Sequence, residues 1–305
     1  MGKKFDLVKV PTQKGRVAIV TGANTGLGFE TALAFAKKEI KVIMACRNEQ
    51  KANDAINRIK EEVTEANLEF IPIDLMDLES VKSFAAAFKK GHDRLDLLIN
   101  NAGIMIPPYQ ETKQGFESQM GVNYFSHFLL TGLLIDLINS TKGSRIVTLS
   151  SIAHQTGEID FDNLNADEAT YKKSKVYSQS KLACLMFALE LNRRLAAAGV
   201  DTLSVASHPG IATTELARYI PKLLYYVLYP IFVFMSHNPE NGALPTIMAA
   251  LDDDVHGGDY FGPSSKREMK GPPKKVKGRP HAYDEDVARK LWEVSEELVS
   301  FKFDV

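Results

Sequence analysis

Val17-Ala18-Ile19-Val20-Thr21-Gly22-Ala23-Asn24-Thr25-Gly26-Leu27-Gly28 is the stretch that decides the fold. A short apolar run ends in a cluster of glycines, and helical periodicity follows. That order reads as strand, tight turn, helix. Glycine lets the backbone turn sharply and approach a ligand closely. The start of the helix offers unpaired N–H groups and the positive end of its dipole, which together suit a pyrophosphate. The spacing is Gly-x3-Gly-x-Gly rather than Gly-x-Gly-x-x-Gly, and a plain structural turn is the alternative reading. Its place after the first strand of a βαβ unit favours dinucleotide binding, with Gly22, Asn24, Thr25, Gly26, Leu27 and Gly28 as contacts.

Outward from this turn the chain alternates. Short apolar runs at Val42–Cys46, Phe70–Ile73, Leu95–Ile99, Arg145–Leu149 and Thr202–Ala206 read as buried strands. Between them Lys51–Glu65, Leu78–Lys90, Thr112–Leu137 and Ser174–Ala198 carry helical periodicity. This alternation predicts an α/β fold: one Rossmann-type, doubly wound parallel sheet with helices on both faces. No linker divides the 305 residues, so residues 1–305 are read as a single domain. Glu240–Leu251 reads as a helix, Tyr260–Phe261 as a short last strand, and Asp284–Val299 as a closing helix capped by Asp284. Residues 263–305 form a C-terminal tail and helix. Within it, Lys266–Arg279 carries seven Lys or Arg against one Glu and reads as a solvated loop.

The end of the second strand selects the cofactor. An acidic residue there would bind a ribose 2′-hydroxyl and favour NAD. Ala45-Cys46-Arg47-Asn48 has no carboxylate, and Arg47 is suited to a 2′-phosphate. NADP(H) is therefore expected in preference to NAD(H). The alternative for Arg47 is a solvated surface side chain.

The chemistry gathers at the other strand ends. Tyr177 and Lys181 lie four residues apart in a helical segment and so share one face. A free phenol, with a pKa near ~10, is a poor acid or base at neutral pH. A neighbouring ammonium lowers that value and makes acid–base work feasible. Asn100-Asn101-Ala102-Gly103 follows the fourth strand, Ser150-Ser151 the fifth and Pro209-Gly210 the sixth, and Asn123 lies in the long helix between. Carboxyl ends of parallel strands are where such sheets bind ligands.

Taken in order, these motifs resemble the short-chain dehydrogenase/reductase family over about residues 15 to 215. Ala45-Cys46-Arg47, the long insert between Ser151 and Tyr177, and His208 resemble its retinol dehydrogenase-like branch. The resemblance implies that Tyr177 exchanges a proton with a substrate oxygen. It implies that Lys181 lowers the tyrosine pKa and binds the nicotinamide ribose, and that Ser151, or its neighbour Ser150, donates to the substrate oxygen. Asn123 is expected to hold a water linked to Lys181. Asp74 and Leu75 would flank the adenine, Asn101, Ala102 and Gly103 would line the cofactor, and Pro209, Gly210, Ile211 and Thr213 would border the nicotinamide. Residues 211–238 fall where the family carries its substrate lid, and the aromatic run from Leu223 to Met235 implies a bulky, apolar carbonyl or alcohol substrate. Core or subunit packing and shallow membrane contact are the other readings of that run. The family usually forms homodimers or homotetramers through the helices around Thr112–Leu137 and Ser174–Ala198.

His154 is read as a loop histidine with a lesser case for substrate contact, and His127 and His208 as structural. Alternatives to the hydride-transfer reading are a non-catalytic dinucleotide-binding sensor or scaffold, or reduction of a C=C bond as in protochlorophyllide reductases. A net charge of −1 gives no reason to expect nucleic acid. No metal spacing is present, and two cysteines make no disulfide framework. A polar opening without an apolar signal and a reducing setting lead to the expectation of a cytoplasmic protein.

Overall fold

The computed structural model describes residues 5–211 and 238–304. Its centre is an eight-stranded sheet, entered through β1 (Val17–Thr21) and α1 (Gly26–Ala36). β2 (Lys41–Cys46), α2 (Glu49–Glu62), β3 (Leu68–Pro72), α3 (Leu78–Gly91) and β4 (Leu97–Asn100) complete the first half. α4 (Ser118–Ser140), β5 (Arg145–Leu149), α5 (Lys173–Ala197) and β6 (Leu203–Ser207) follow. Then come α6 (Pro239–Leu251), β7 (Tyr260–Pro263), β8 (Pro273–Val276) and α7 (Glu285–Leu298). The strand order is β3-β2-β1-β4-β5-β6-β7-β8, all parallel except β8. The order reverses between β1 and β4, which opens the crevice where ligands bind in such sheets.

Both faces of the sheet are covered, so central strands such as β1 and β4 are buried along their whole length. Val17 and Ile19 join a core on one face, with Phe84, Phe128, Phe187 and Trp292 from the helices there. Ala18 and Val20 join the other, with Phe35, Ile59 and Ile247. The alternation is the period of two that a strand imposes.

β8 corrects the reading of Lys266–Arg279 as loop. Pro273-Lys274-Lys275-Val276 pairs antiparallel with β7 and closes the sheet edge. Proline and lysine suit an edge strand because they block further pairing, and for that reason they conceal a strand in the sequence.

The C-terminal segment covers α4 and α5. The Trp292 ring lies 5.1 Å from Phe128, 5.7 Å from Phe187 and 4.5 Å from Phe303. Phe301 and Phe303 approach α4 at Gly132, where a Cβ would lie 2.5 Å and 2.8 Å from their rings. Tyr124 bonds Ser295 across the same interface at 2.9 Å. Among the described residues α4 is the one helix long and apolar enough to cross a membrane, but 83% of its apolar window is buried in this core.

Candidate active site

The glycine turn is built by contacts to two neighbouring strands. Gly22 donates its N–H to Ala45 at 2.8 Å, and Gly22 and Gly26 adopt φ of +67° and +56°. A Cβ on Gly28 would collide with the Gly22 carbonyl and lie 2.6 Å from Asn101 Nδ2. Thr25 precedes α1 in extended conformation and makes no side-chain capping bond, which leaves the first N–H groups of the helix for a ligand. Thr21, not singled out from sequence, ties the turn to β4. Its Oγ1 accepts from the N–H groups of Asn101 and Ala102, each at 2.9 Å, and its carbonyl accepts from Asn101 Nδ2 at 2.7 Å. Cys46 was also missed as part of the turn: its thiol is buried beneath it, bonded to the backbone of Ala23 and Asn24, and burial raises it to about 11.

These features fit a dinucleotide. The glycines clear a cradle that a side chain would fill, the α1 N-terminus is uncapped, and Asn101 Oδ1 is buried with no protein partner. Arg47, 70% exposed, lies 3.8 Å from Asp74. Asp74 Oδ1 accepts from Met76 N at 3.0 Å, and Leu75 is buried with its carbonyl bonded to Ser126.

The two adjacent serines separate by partner. Ser150 is buried and donates to the Lys181 carbonyl at 2.7 Å. Ser151 caps the following turn, its Oγ accepting from Ala153 N at 3.2 Å, and stands by the Tyr177 phenol. Tyr177 and Lys181 are both buried on α5. Lys181 Nζ donates to the Leu149 carbonyl at 3.0 Å. Burial pushes the Tyr177 phenol up to about 12, and Ser151 pulls it partway back. The expected lowering by Lys181 is not seen: the ammonium is engaged by the β5 carbonyl and is itself disfavoured by burial.

Asn123 sits in a π turn, Gly121–Phe125, that interrupts α4. Such turns recur at functional sites because they free backbone groups. Asn123 Oδ1 accepts from Ile104 N at 2.8 Å, and its Nδ2 donates to the Ile104 carbonyl at 3.0 Å and to Ser180 Oγ at 2.9 Å. Ser180 in turn donates to the Tyr177 carbonyl at 2.8 Å, so Asn123 is bridged to the tyrosine's own turn of helix. The Asn123 carbonyl takes the Cys184 thiol at 3.2 Å and His127 Nδ1 at 3.1 Å. Gly103 faces Asn123 and Lys181, where a Cβ would meet Asn123 Oδ1 at 3.1 Å. Pro209, Gly210 and Ile211 follow β6 at the same edge. Thr213 and residues 212–237 of the expected lid lie outside the described residues.

His127 is structural: its Nε2 lies 2.9 Å from Thr21 Oγ1 in the core. His154 is buried, with Nδ1 2.7 Å from the Ser151 carbonyl. Burial holds both imidazoles down at about 4, against 6.5 ordinarily. Below pH 6.5 the unfolded chain takes protons that these folded sites refuse, so stability falls as pH drops toward 4. We expect a loss of about 2 kcal/mol per histidine by pH 5 relative to pH 7. Urea denaturation at the two pH values measures it, and His127→Gln should shrink the difference; equal stability at both would contradict the burial account.

A sequence model of the short chain dehydrogenase family matches residues 16–223. Human retinol dehydrogenase 13 is 40% identical over 297 residues, covering 95% of this chain and 86% of that protein. Mouse retinol dehydrogenase 14 is also 40% identical, covering 93% and 86%. A crystal structure of an uncharacterised protein from Mycobacterium paratuberculosis superposes with a TM-score of 0.83 at 36% identity, covering 99% of this chain and all of that one. The Pseudomonas aeruginosa RhlG/NADP complex shares the fold, with a TM-score of 0.65 at 22% identity over 82% of this chain and 94% of that one. The chain belongs to the short-chain dehydrogenase/reductase family. It is an oxidoreductase of the class that interconverts alcohols and carbonyls, as the motifs led us to expect.

Proposed function

We propose that the chain is an NADP(H)-dependent oxidoreductase that reduces a carbonyl, or oxidises an alcohol, on a bulky apolar substrate, with Tyr177 as the acid/base. The observation that carries this reading is the convergence of Ser151, the buried Tyr177 phenol and buried Lys181 at the crevice edge. Two donors converge there on the position a substrate oxygen would take. Relatives named retinol dehydrogenases support the substrate class, since retinol is a long apolar alcohol.

A nicotinamide held at this crevice would supply or accept the hydride. The protein's part is to place the oxygen and move one proton. Ser151 orients the oxygen, and Tyr177 gives its proton as a carbonyl becomes an alcohol. A phenol held up at about 12 keeps that proton at neutral pH, the form that reduction consumes. Lys181, held by the β5 end, would bind the nicotinamide ribose. Asn123 would keep α4, Ser180 and Tyr177 in register. Gly22, Asn24, Thr25, Gly26, Leu27 and Gly28 would hold the pyrophosphate, Asp74 and Leu75 would flank the adenine, and Asn101, Ala102 and Gly103 would line the remainder.

For the 2′-phosphate we assign Arg47, whose guanidinium is exposed beyond β2 with Asp74 as its partner. Arg47→Asp is expected to weaken NADPH binding about tenfold or more, the scale of a charge-assisted bond, and to leave NADH within a factor of about two. Calorimetric titration with both nucleotides measures this, and equal losses for the two would remove Arg47 from the phosphate site. The function itself is tested by screening apolar aldehydes and ketones with NADPH and NADH. Turnover with neither nucleotide would favour a non-catalytic binding role. We keep the cytoplasm as the proposed location, on the two free, buried cysteines. The homodimer or homotetramer expected from the resemblance would have to assemble around the C-terminal cover on α4 and α5, which sedimentation of the purified chain decides.

A further inference from the structure

The loop between β7 and β8 reaches back to the catalytic edge. It carries the lone acid of the basic stretch, Glu268, at φ +54°. This is a left-handed conformation that a glutamate adopts only where the surroundings hold it. The holding bonds are local: Glu268 N to the Ser265 carbonyl at 2.8 Å, Ser265 N to the Lys270 carbonyl at 3.0 Å, and Met269 N to Ser265 Oγ at 3.1 Å. So presented, the Glu268 carboxylate lies 3.1 Å from Nε2 of His208, which is fully buried just after β6. The bond to His208 holds the carboxyl below the usual range.

His208 passes this anchoring on. Its Nδ1 accepts from Gly210 N at 3.3 Å, so its Nε2 carries the hydrogen donated to Glu268. Its ring lies over Gly262 so closely that no Cβ fits there. Two more contacts bind the same loops. Ile211 N donates to the Met269 carbonyl at 2.9 Å, and Gly210, at φ +71°, backs onto that carbonyl with no room for a side chain.

We propose that Glu268 is a positioning residue, which acts through His208 to set the Pro209-Gly210-Ile211 loop for the reaction. This rests on the proposed function, in which that loop borders the nicotinamide. Glu268 touches no reacting group. The glycine turn and the β2 end would hold the adenosine end of the cofactor, away from this loop. Loss of Glu268 therefore leaves affinity largely intact and misplaces the reacting end.

The test is Glu268→Ala against Glu268→Gln in the full chain, with NADPH and the best carbonyl substrate from the screen. Glutamine retains an acceptor for His208 Nε2–H; alanine does not. We expect Glu268→Ala to lower kcat about tenfold or more per cofactor-binding site, with the NADPH Kd changed less than about threefold, and Glu268→Gln to recover most of the loss. His208→Ala combined with Glu268→Ala should be no slower than the worse single variant, because both act through one contact. Wild-type kcat in Glu268→Ala, equal loss in kcat and affinity, or additive losses in the double variant would each overturn the assignment. A wild-type chain that binds dinucleotide and turns over separates those failures from failure of the proposed function. A wild type that binds none overturns both.

Discussion

Tyr177→Phe should lower turnover by about a thousandfold or more while NADPH binds within a factor of about two of wild type. General acid–base catalysis contributes about a hundredfold to ten-thousandfold. Here the phenol stands by Ser151, so the substituted site retains a serine donor but has no proton to give. Phenylalanine preserves the ring that fills a buried position on α5, so the fold should survive the change. Steady-state kinetics with a parallel binding titration separates the two effects. Activity retained within tenfold would assign the proton to another group; loss of binding together with activity would make Tyr177 a cofactor anchor instead.

Gly28→Val should abolish dinucleotide binding. A Cβ at this position overlaps the Gly22 carbonyl, and the Asn101 amide that closes the turn lies 2.6 Å away. Neither is the free end of a flexible side chain: the first is backbone and the second is fixed to Thr21 at 2.7 Å. The turn must open, at a cost in stability of about 1–3 kcal/mol for overpacking. Wild type should be stabilised by about 2.7 kcal/mol in NADPH at a hundred times its Kd, and the variant by nothing measurable. Gly91→Ala is the control, since a Cβ there meets no atom within 4 Å. A Gly28→Val protein that folds and gains the same stabilisation from NADPH would show that the cofactor does not use this turn.

The legibility of this molecule in its sequence followed the range of the interactions. The glycine turn was legible because its requirement is local, and the helix and strand periods around it are local too. Tyr177 and Lys181 were legible because one helix carries both. Ser151 was not separable from Ser150 by chemistry, since the two are adjacent and identical. What distinguishes them is that Ser150 is spent on the Lys181 carbonyl. Thr21, His127 and Glu268 were passed over as site-building groups for a related reason. Thr21 finds Asn101 and His127 from distant parts of the chain, and Glu268 finds His208 across the sheet edge. The start of α4 was misread because Thr112 to Phe116 forms a closed turn, with the Thr112 and Phe116 backbones bonded at 2.8 Å, and Glu117 then caps the helix. The phenol's direction was misjudged for a physical reason: helical spacing brings an ammonium near but does not report burial, which acts in the opposite sense and prevails here.

The most direct measurement uses NADPH deuterated on the transferring face of nicotinamide C4, incubated with the chain and a long apolar aldehyde. The account predicts deuterium on the carbinol carbon of the alcohol formed by the wild-type chain, and almost none with Tyr177→Phe under the same conditions. Absence of label in the product of an active wild type, with the cofactor deuterated on either face, would contradict direct hydride transfer. Equal labelled yield from Tyr177→Phe would contradict the role given to the tyrosine.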